Sequence, residues 1–317
     1  MTEKNKGRLL LSVVYLIAFS LAFYVSSVSD YSILAKAAVA GSMAVVIIFL
    51  GSLDFNNSSV FDPYWSVAPV LFTAYFWVLG TGQCSGYWSL VSGGWSGIEL
   101  DQTLFTEHWF DFTRKLFLLV LTFIYGMRLT WNFLRAWKGL KHEDWRYVDF
   151  RKKSGKAYWF VSFFGIHFFP ALIVFGGSLS IWVTVCQGIQ PFNLIDMVAI
   201  LLTGFAIWWE AKADRQLHRY VLQNSEKAKT MDRGLWALSR HPNYFGEISF
   251  WWGLYLFALA ANPAFWWVII GPAAITLMFV FISIPMIEKR LLVRKTDYKE
   301  YCERTSMLLP FPRSRPS

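Results

Sequence analysis

The nine residues SRHPNYFGE, Ser239 to Glu247, stand between a basic run and a long apolar segment, and their reading decides the fold. Pro242 has a fixed φ and no backbone N–H, which suits the first turn of a helix. The apolar residues from 247 to 261 then make that helix a membrane span. Its first backbone N–H groups, on Asn243, Tyr244 and Phe245, have no acceptor inside the helix and form a positive end suited to a phosphate or carboxylate. Arg240 adds a full charge there, with His241 beside it. Tyr244 and Glu247 share a helical face, as do Asn243 and Glu247, so two turns offer donors and an acceptor together. Capping alone needs neither Glu247 a turn deep nor Asn243 close to Arg240. The stretch reads as the seat of an anionic, polar-headed cofactor.

The rest of the chain is of the same apolar character. Its 317 residues are 55% hydrophobic, 19% aromatic and only 16% charged, with a mean hydropathy of +0.38. That balance excludes an ordinary soluble domain and predicts an all-α, polytopic membrane protein of about seven to eight spans. Apolar segments lie at roughly 9–25, 33–53, 60–80, 116–134, 157–186, 194–210, 247–261 and 264–286. Lys and Arg test the arrangement, because short basic loops stay on the cytoplasmic side. Residues 1–8, 135–156, 210–247 and 287–317 hold 26 of the 30, and eight spans with both termini inside put all four stretches in the cytoplasm. The opposite loops carry only Arg114 and Lys115. The same bias accounts for the net charge of +9 without a nucleic-acid partner.

No repeat or low-complexity linker divides the chain, so residues 1–317 are expected to form one membrane domain. The first span lacks a small-residue cleavage site and reads as an uncleaved helix. Cys84, Cys186 and Cys302 have neither metal-ligand nor disulfide-framework spacing, and no metal is expected. The segment LFTEHWFDF (104–112), in the long loop at 82–115, has the aromatic content to lie flat at the interface. A kink is expected in the fifth segment at Pro170, near His167 and Gly176–Gly177. The eighth contains Gly271–Pro272 and Pro285, which free backbone groups that protein or a wet cavity must satisfy.

Ionisable side chains inside spans are costly and each is a candidate. Arg128 and Asn132 share one helical face and suit an anionic or amide-bearing ligand, although Arg128 also lies close enough to the interface to snorkel. Glu210 and Asp214 are likewise four apart, placed either to accept protons from a ribose or nicotinamide or to form a solvated helix end. His167, flanked by Phe, reads as a satisfied core histidine or as a catalyst. Asp62 and Tyr64 flank Pro63 at the start of the third span, as a helix cap or as a proton donor.

GLWALSRHPNYFGE, with the tail DYKEYCERTSMLLPF, resembles the C-terminal domain shared by steroid 5-alpha-reductases, sterol C14 and C7 reductases and the DUF1295 membrane proteins. The likeness is clearest from Glu210 to Phe311, and FDPYWSVAP, MRLTWNF and HEDWRY resemble the DUF1295 branch. It implies NADPH-dependent reduction of a carbon–carbon double bond in a hydrophobic lipid that enters from the bilayer. It also implies that 136–317 is the cofactor-binding region and that 1–135 contributes to the substrate cavity. On this resemblance Asn243, Tyr244 and Glu247 meet the nicotinamide half, with Arg240 and His241 nearby. Glu210, Asp214 and Arg128 are then cofactor contacts, and Tyr298, Tyr301 and Arg304 close over the adenosine phosphates. Asp62, Tyr64 and His167 are the candidates for the proton donor. The expected location is a bacterial inner membrane or the endoplasmic reticulum, with the cofactor site towards the cytoplasm.

Similar motifs occur in membrane methyltransferases that bind S-adenosylmethionine. Those usually carry adjacent glutamates after the last span, where this chain has Ile287-Glu288-Lys289. A non-enzymatic lipid binder is a third reading, against which Arg240, Asn243, Glu247 and Tyr298 all stand intact.

Overall fold

The computed structural model describes residues 2–83, 102–223 and 228–312. In hydrocarbon a backbone must satisfy its own polar groups, and the described residues form helices with no strand. In order these are α1 (Glu3–Ser27), α2 (Ile33–Asp54), α3 (Tyr64–Gln83), α4 (Gln102–Ala136), α5 (Trp145–Ser154), α6 (Tyr158–Val161), α7 (Phe169–Cys186), α8 (Leu194–Gln223), α9 (Pro242–Ala261), α10 (Ile270–Met278), α11 (Ile284–Arg294) and α12 (Tyr298–Arg304).

Six stretches are long and apolar enough to cross a membrane: Glu3–Ser27, Ile33–Asp54, Asp111–Ala136, Trp145–Cys186, Leu194–Gln223 and Pro263–Arg294. The remaining two expected spans are the helices α3 and α9, each of 20 residues. Tyr and Trp dilute their hydropathy, as do Asn243 and Glu247 in α9. The chain is therefore an all-α, multi-pass membrane protein. One local expectation changes: LFTEHWFDF begins no separate interfacial piece but runs directly into the 35-residue α4. At 1.5 Å per residue α4 is about 52 Å long, well beyond the hydrocarbon thickness. Residues 84–101, including Cys84, lie outside the described residues.

The prolines bring π-helical turns. Pro170 cannot donate to the carbonyl of Ile166, and Ser162–Phe168 is a π segment that joins α6 to α7. Pro285 stands in the same relation to Phe281, within the π segment Phe279–Ser283 between α10 and α11. In both places a missing N–H is absorbed by widening one turn. Both widened turns contribute residues to one cavity, described below.

The helix that opens at Pro242 is the most enclosed. Fourteen of the 20 residues of α9 are buried, which leaves its polar residues facing other helices. Its partner α8 comes close because Gly246 and Gly253 carry no side chain: a Cβ at Gly253 would overlap Thr203, and one at Gly246 would press on Glu210. Gly246 thus brings Glu210 beside the turn that carries Glu247. On another side Trp251 fills the space over Gly177 of α7.

Candidate functional site

A cavity of about 600 Å³ opens at the end of the bundle that carries the basic loops. Glu210 and Asp214 of α8, with Asn243, Tyr244 and Glu247 of α9, are on its lining. Glu247 is 4% exposed, and one of its oxygens is fixed by three donors from three helices. Tyr125 Oη donates to Oε1 at 2.6 Å, and the indole N–H groups of Trp65 and Trp251 donate at 2.8 Å each. Among the described residues no such bond goes to Oε2. A buried carboxylate held by one oxygen keeps the other for a ligand.

Behind that wall Arg128 of α4 pairs with two acids. Its Nη2 lies 2.6 Å from Glu210 Oε2 and its Nη1 donates to Asp214 Oδ2 at 3.0 Å. Asn132 donates to the same Asp214 oxygen at 3.0 Å. The two helical pairs seen in the sequence, Arg128/Asn132 and Glu210/Asp214, therefore face each other. The cluster is not saturated, since Arg128 Nε has no hydrogen-bond acceptor among the described residues.

Asp62 lines the same cavity, together with Arg146 and Tyr147 of α5. Tyr147 Oη donates a short hydrogen bond to Asp62 Oδ1, and Arg146 Nη2 stands 3.8 Å from that oxygen. Burial pushes the Asp62 carboxyl up to about 6, against the opposing Arg146 charge and the Tyr147 hydrogen bond. This wall is tied together locally. Asp144 caps α5 by accepting from the Arg146 N–H at 2.9 Å, while Asn57 donates to the carbonyls of Leu140 and His142. Glu143 accepts from the Ser58 N–H at 2.8 Å and from Tyr158 at 3.0 Å. The HEDWRY segment is thereby bound to the turn before α3.

Two proposed proton donors are elsewhere. Tyr64 is 1% exposed, stacked against Phe61 and Phe19. His167 is fully buried, with Nε2 2.9 Å from Ser52 Oγ and Nδ1 2.9 Å from the Ser162 carbonyl. Its ring packs on Phe49 and Phe61. Neither lines the cavity.

The tail residues form a clamp beside the cavity. Arg240 Nε and His241 Nε2 each lie 3.0 Å from Glu288 Oε1, and Tyr298 Oη donates to the same oxygen at 3.4 Å. The Arg240 N–H donates to the Ser306 carbonyl at 2.8 Å. Tyr301 Oη donates to the carbonyls of Trp236 and Ser239 at 2.5 and 3.2 Å. Arg304 pairs with Asp232 at 3.0 Å and with Glu300 at 3.3 Å. The tail thus holds the loop entering α9, and Tyr244 stacks on the imidazole of His241, ring centres 5.4 Å apart. Sequence reasoning missed Tyr125, Tyr147 and the role of Glu288; only HEDWRY had drawn attention to Tyr147.

Fold and cavity define a class: an all-helical, multi-pass membrane protein with a carboxylate-rich cavity built among its helices. The family model for Protein of unknown function (DUF1295) matches residues 96–305, and the chain belongs to that family. The match includes every proposed cofactor contact from Arg128 to Arg304 and leaves Asp62 outside. An uncharacterized protein of Schizosaccharomyces pombe, C594.04c, is 25% identical over 232 residues, covering 66% of this chain and 60% of that protein. The chain therefore spans less than two thirds of that relative's length. No solved structure matches. Among the described residues no group of His, Cys, Asp and Glu is arranged to hold a metal ion.

Proposed function

We propose that this protein is a membrane-embedded, NADPH-dependent reductase of a carbon–carbon double bond in a hydrophobic lipid. The observation that carries the reading is one cavity shared by the Glu210/Asp214/Asn243/Glu247 wall and the Asp62–Tyr147 pair. The donor set suits a nicotinamide head. The Asn243 amide can both donate to and accept from a carboxamide, and Glu247 offers an acceptor held in place by Trp65, Tyr125 and Trp251. The lining acids Asp62, Asp144, Glu210, Asp214 and Glu247 outnumber the cations Lys138 and Arg146. The interior therefore favours the uncharged ring end of the cofactor, and its phosphates belong at the rim with the basic loops.

Bound there, NADPH would supply hydride. The chain's own part is electrostatic and positional. The carboxylates of Glu210, Asp214 and Glu247 stabilise positive charge that develops beside them, in surroundings too dry to screen it. Tyr147 polarises or protonates the substrate from its hydroxyl when Asp62 is protonated and donates to that hydroxyl in turn, so that the proton leaving Tyr147 is replaced from the Asp62 carboxyl. Trp65, Phe133 and Phe279 exclude water from the space between. The reading is tested by following deuteride from labelled NADPH into lipid enones by mass spectrometry. Transfer is expected in the wild type and about a hundredfold less in Glu247→Gln and Tyr147→Phe, the scale of one lost transition-state contact. Equal transfer in all three would sink the assignment of these residues, and no transfer to any enone would sink the reductase.

The excess of lining acids also favours a second reading, an S-adenosylmethionine-dependent methyltransferase, because a sulfonium cation gains from the same carboxylates. Binding of that cofactor in place of NADPH separates the two.

A further inference from the structure

An apolar groove of about 800 Å³ adjoins the polar cavity, and Phe169, Met278 and Ile282 line both. Its walls are one face of α7, through Leu172, Gly176 and Leu179, and one face of α10 and the following π segment, through Ala274 and Phe281. The spacing along each wall is the three-and-four repeat of a single helical face, so the groove is linear. From Phe169 to Leu179 it follows α7 for about 15 Å. Its floor lies where the two helices meet at glycines: a Cβ on Gly271 would collide with the carbonyl of Gly176. Leu172, Leu277 and Phe281 are 56%, 56% and 70% exposed, which in a membrane means that the groove is open sideways to the bilayer.

We infer that this groove holds the hydrocarbon tail of the substrate, and that the substrate is a lipid with a small uncharged head and a long flexible chain. An apolar furrow about 15 Å long accepts a chain of methylenes lying along α7, and its wholly apolar lining offers no partner to a second polar group at the far end of a ring system. At the shared end the head enters a cavity where acids outnumber bases, which disfavours a phosphate head. The two sites together are amphipathic in one direction, polar at the Asp62–Tyr147 end and wholly apolar along α7. The name of substrate rests on the reductase reading; occupation of the groove does not.

The test is photolabelling in phosphatidylcholine vesicles without any NADPH. Two probes are used, hexadecanol with a terminal diazirine and a diazirine-bearing cholesterol, and labelled peptides are mapped by mass spectrometry. The alcohol is expected to concentrate on the α7 and α10 walls, over the bilayer-facing side of α1 at Leu16 and Tyr24. Ala274→Trp, or Leu172→Trp on the exposed wall should the first variant fold poorly, excludes part of the chain. Loss of two buried methylenes costs about tenfold in occupancy, so labelling should fall by that factor. Even labelling of α1 and the groove, or no change in a folded Trp variant, would overturn the site. Preferential labelling by the sterol probe would overturn the substrate class. Deuteride transfer is measured separately, so loss of the reductase reading and loss of the groove are distinguishable results.

Discussion

The same helix, α4, places two arginines among acids, and the two are treated differently. Arg114 is fully buried, pairs with Asp196 through Nε and Nη2 at 2.7 Å each, and donates further from Nη1 to the carbonyl of Gln190 and from Nη2 to those of Pro191 and Ala260. Asp196 also accepts from the Asn193 N–H. Arg128, fourteen residues and about 21 Å further along, has two acids beside it and an Nε without an acceptor. The first cluster is closed and ties α4 to the start of α8. The second stands behind a cavity and keeps polar capacity in reserve. Charge buried in a membrane protein therefore divides into saturated pairs that hold helices together and unsaturated ones that have something left to bind.

The comparison breaks most visibly at Arg114. Arg114→Ala leaves Asp196 buried and unpaired, a loss of about 3–5 kcal/mol, and should remove most folded protein in detergent size-exclusion profiles. Replacing both members by apolar residues of similar size should restore folding. Arg128→Met also strands a buried acid, Glu210, but should cost less, about 1–3 kcal/mol, because Glu210 and Asp214 both line the cavity and Asp214 keeps its bond from Asn132; thermal unfolding should show a folded protein with impaired ligand binding. Equal destabilisation by the two substitutions would remove the distinction.

The smallest effect is the pH dependence of Asp62. Its carboxyl titrates near 6 in the folded chain against 3.8 for an unperturbed Asp, so the folded state holds the proton more tightly. The associated stability is fully present below about 3.8 and is lost as pH rises through about 6. Wild-type melting temperature relative to Asp62→Asn should fall across that window. A constant difference would place Asp62 in a more polar setting than its contacts with Tyr147 and Arg146 describe.

How far the sequence reaches depends on the range of the interaction. Apolar segments, basic loops and Pro242 as a helix start are local, and each is legible from a few neighbouring residues. So are the Arg128/Asn132 and Glu210/Asp214 pairs, although helical periodicity cannot say that they face each other 82 residues apart. The three donors to Glu247 lie 182, 122 and 4 residues away, and only Trp251 has a helical spacing. His167 shows the same limit from the other side: its neighbours in sequence, Ile166 and Phe168, are apolar, yet Ser52 on α2 engages its ring. Pro170 and Pro285 announced irregular helix, but the packing that turns the irregularity into π turns lining a cavity is tertiary.

The most direct test of the cavity as a cofactor site is calorimetric titration of detergent-purified protein with NADPH, NADH and S-adenosylmethionine, repeated on Asn243→Ala. Saturable NADPH binding in the wild type, weakened about tenfold or more when the Asn243 amide is removed, is the predicted result. S-adenosylmethionine binding with no response to NADPH, or NADPH binding indifferent to Asn243, would contradict it.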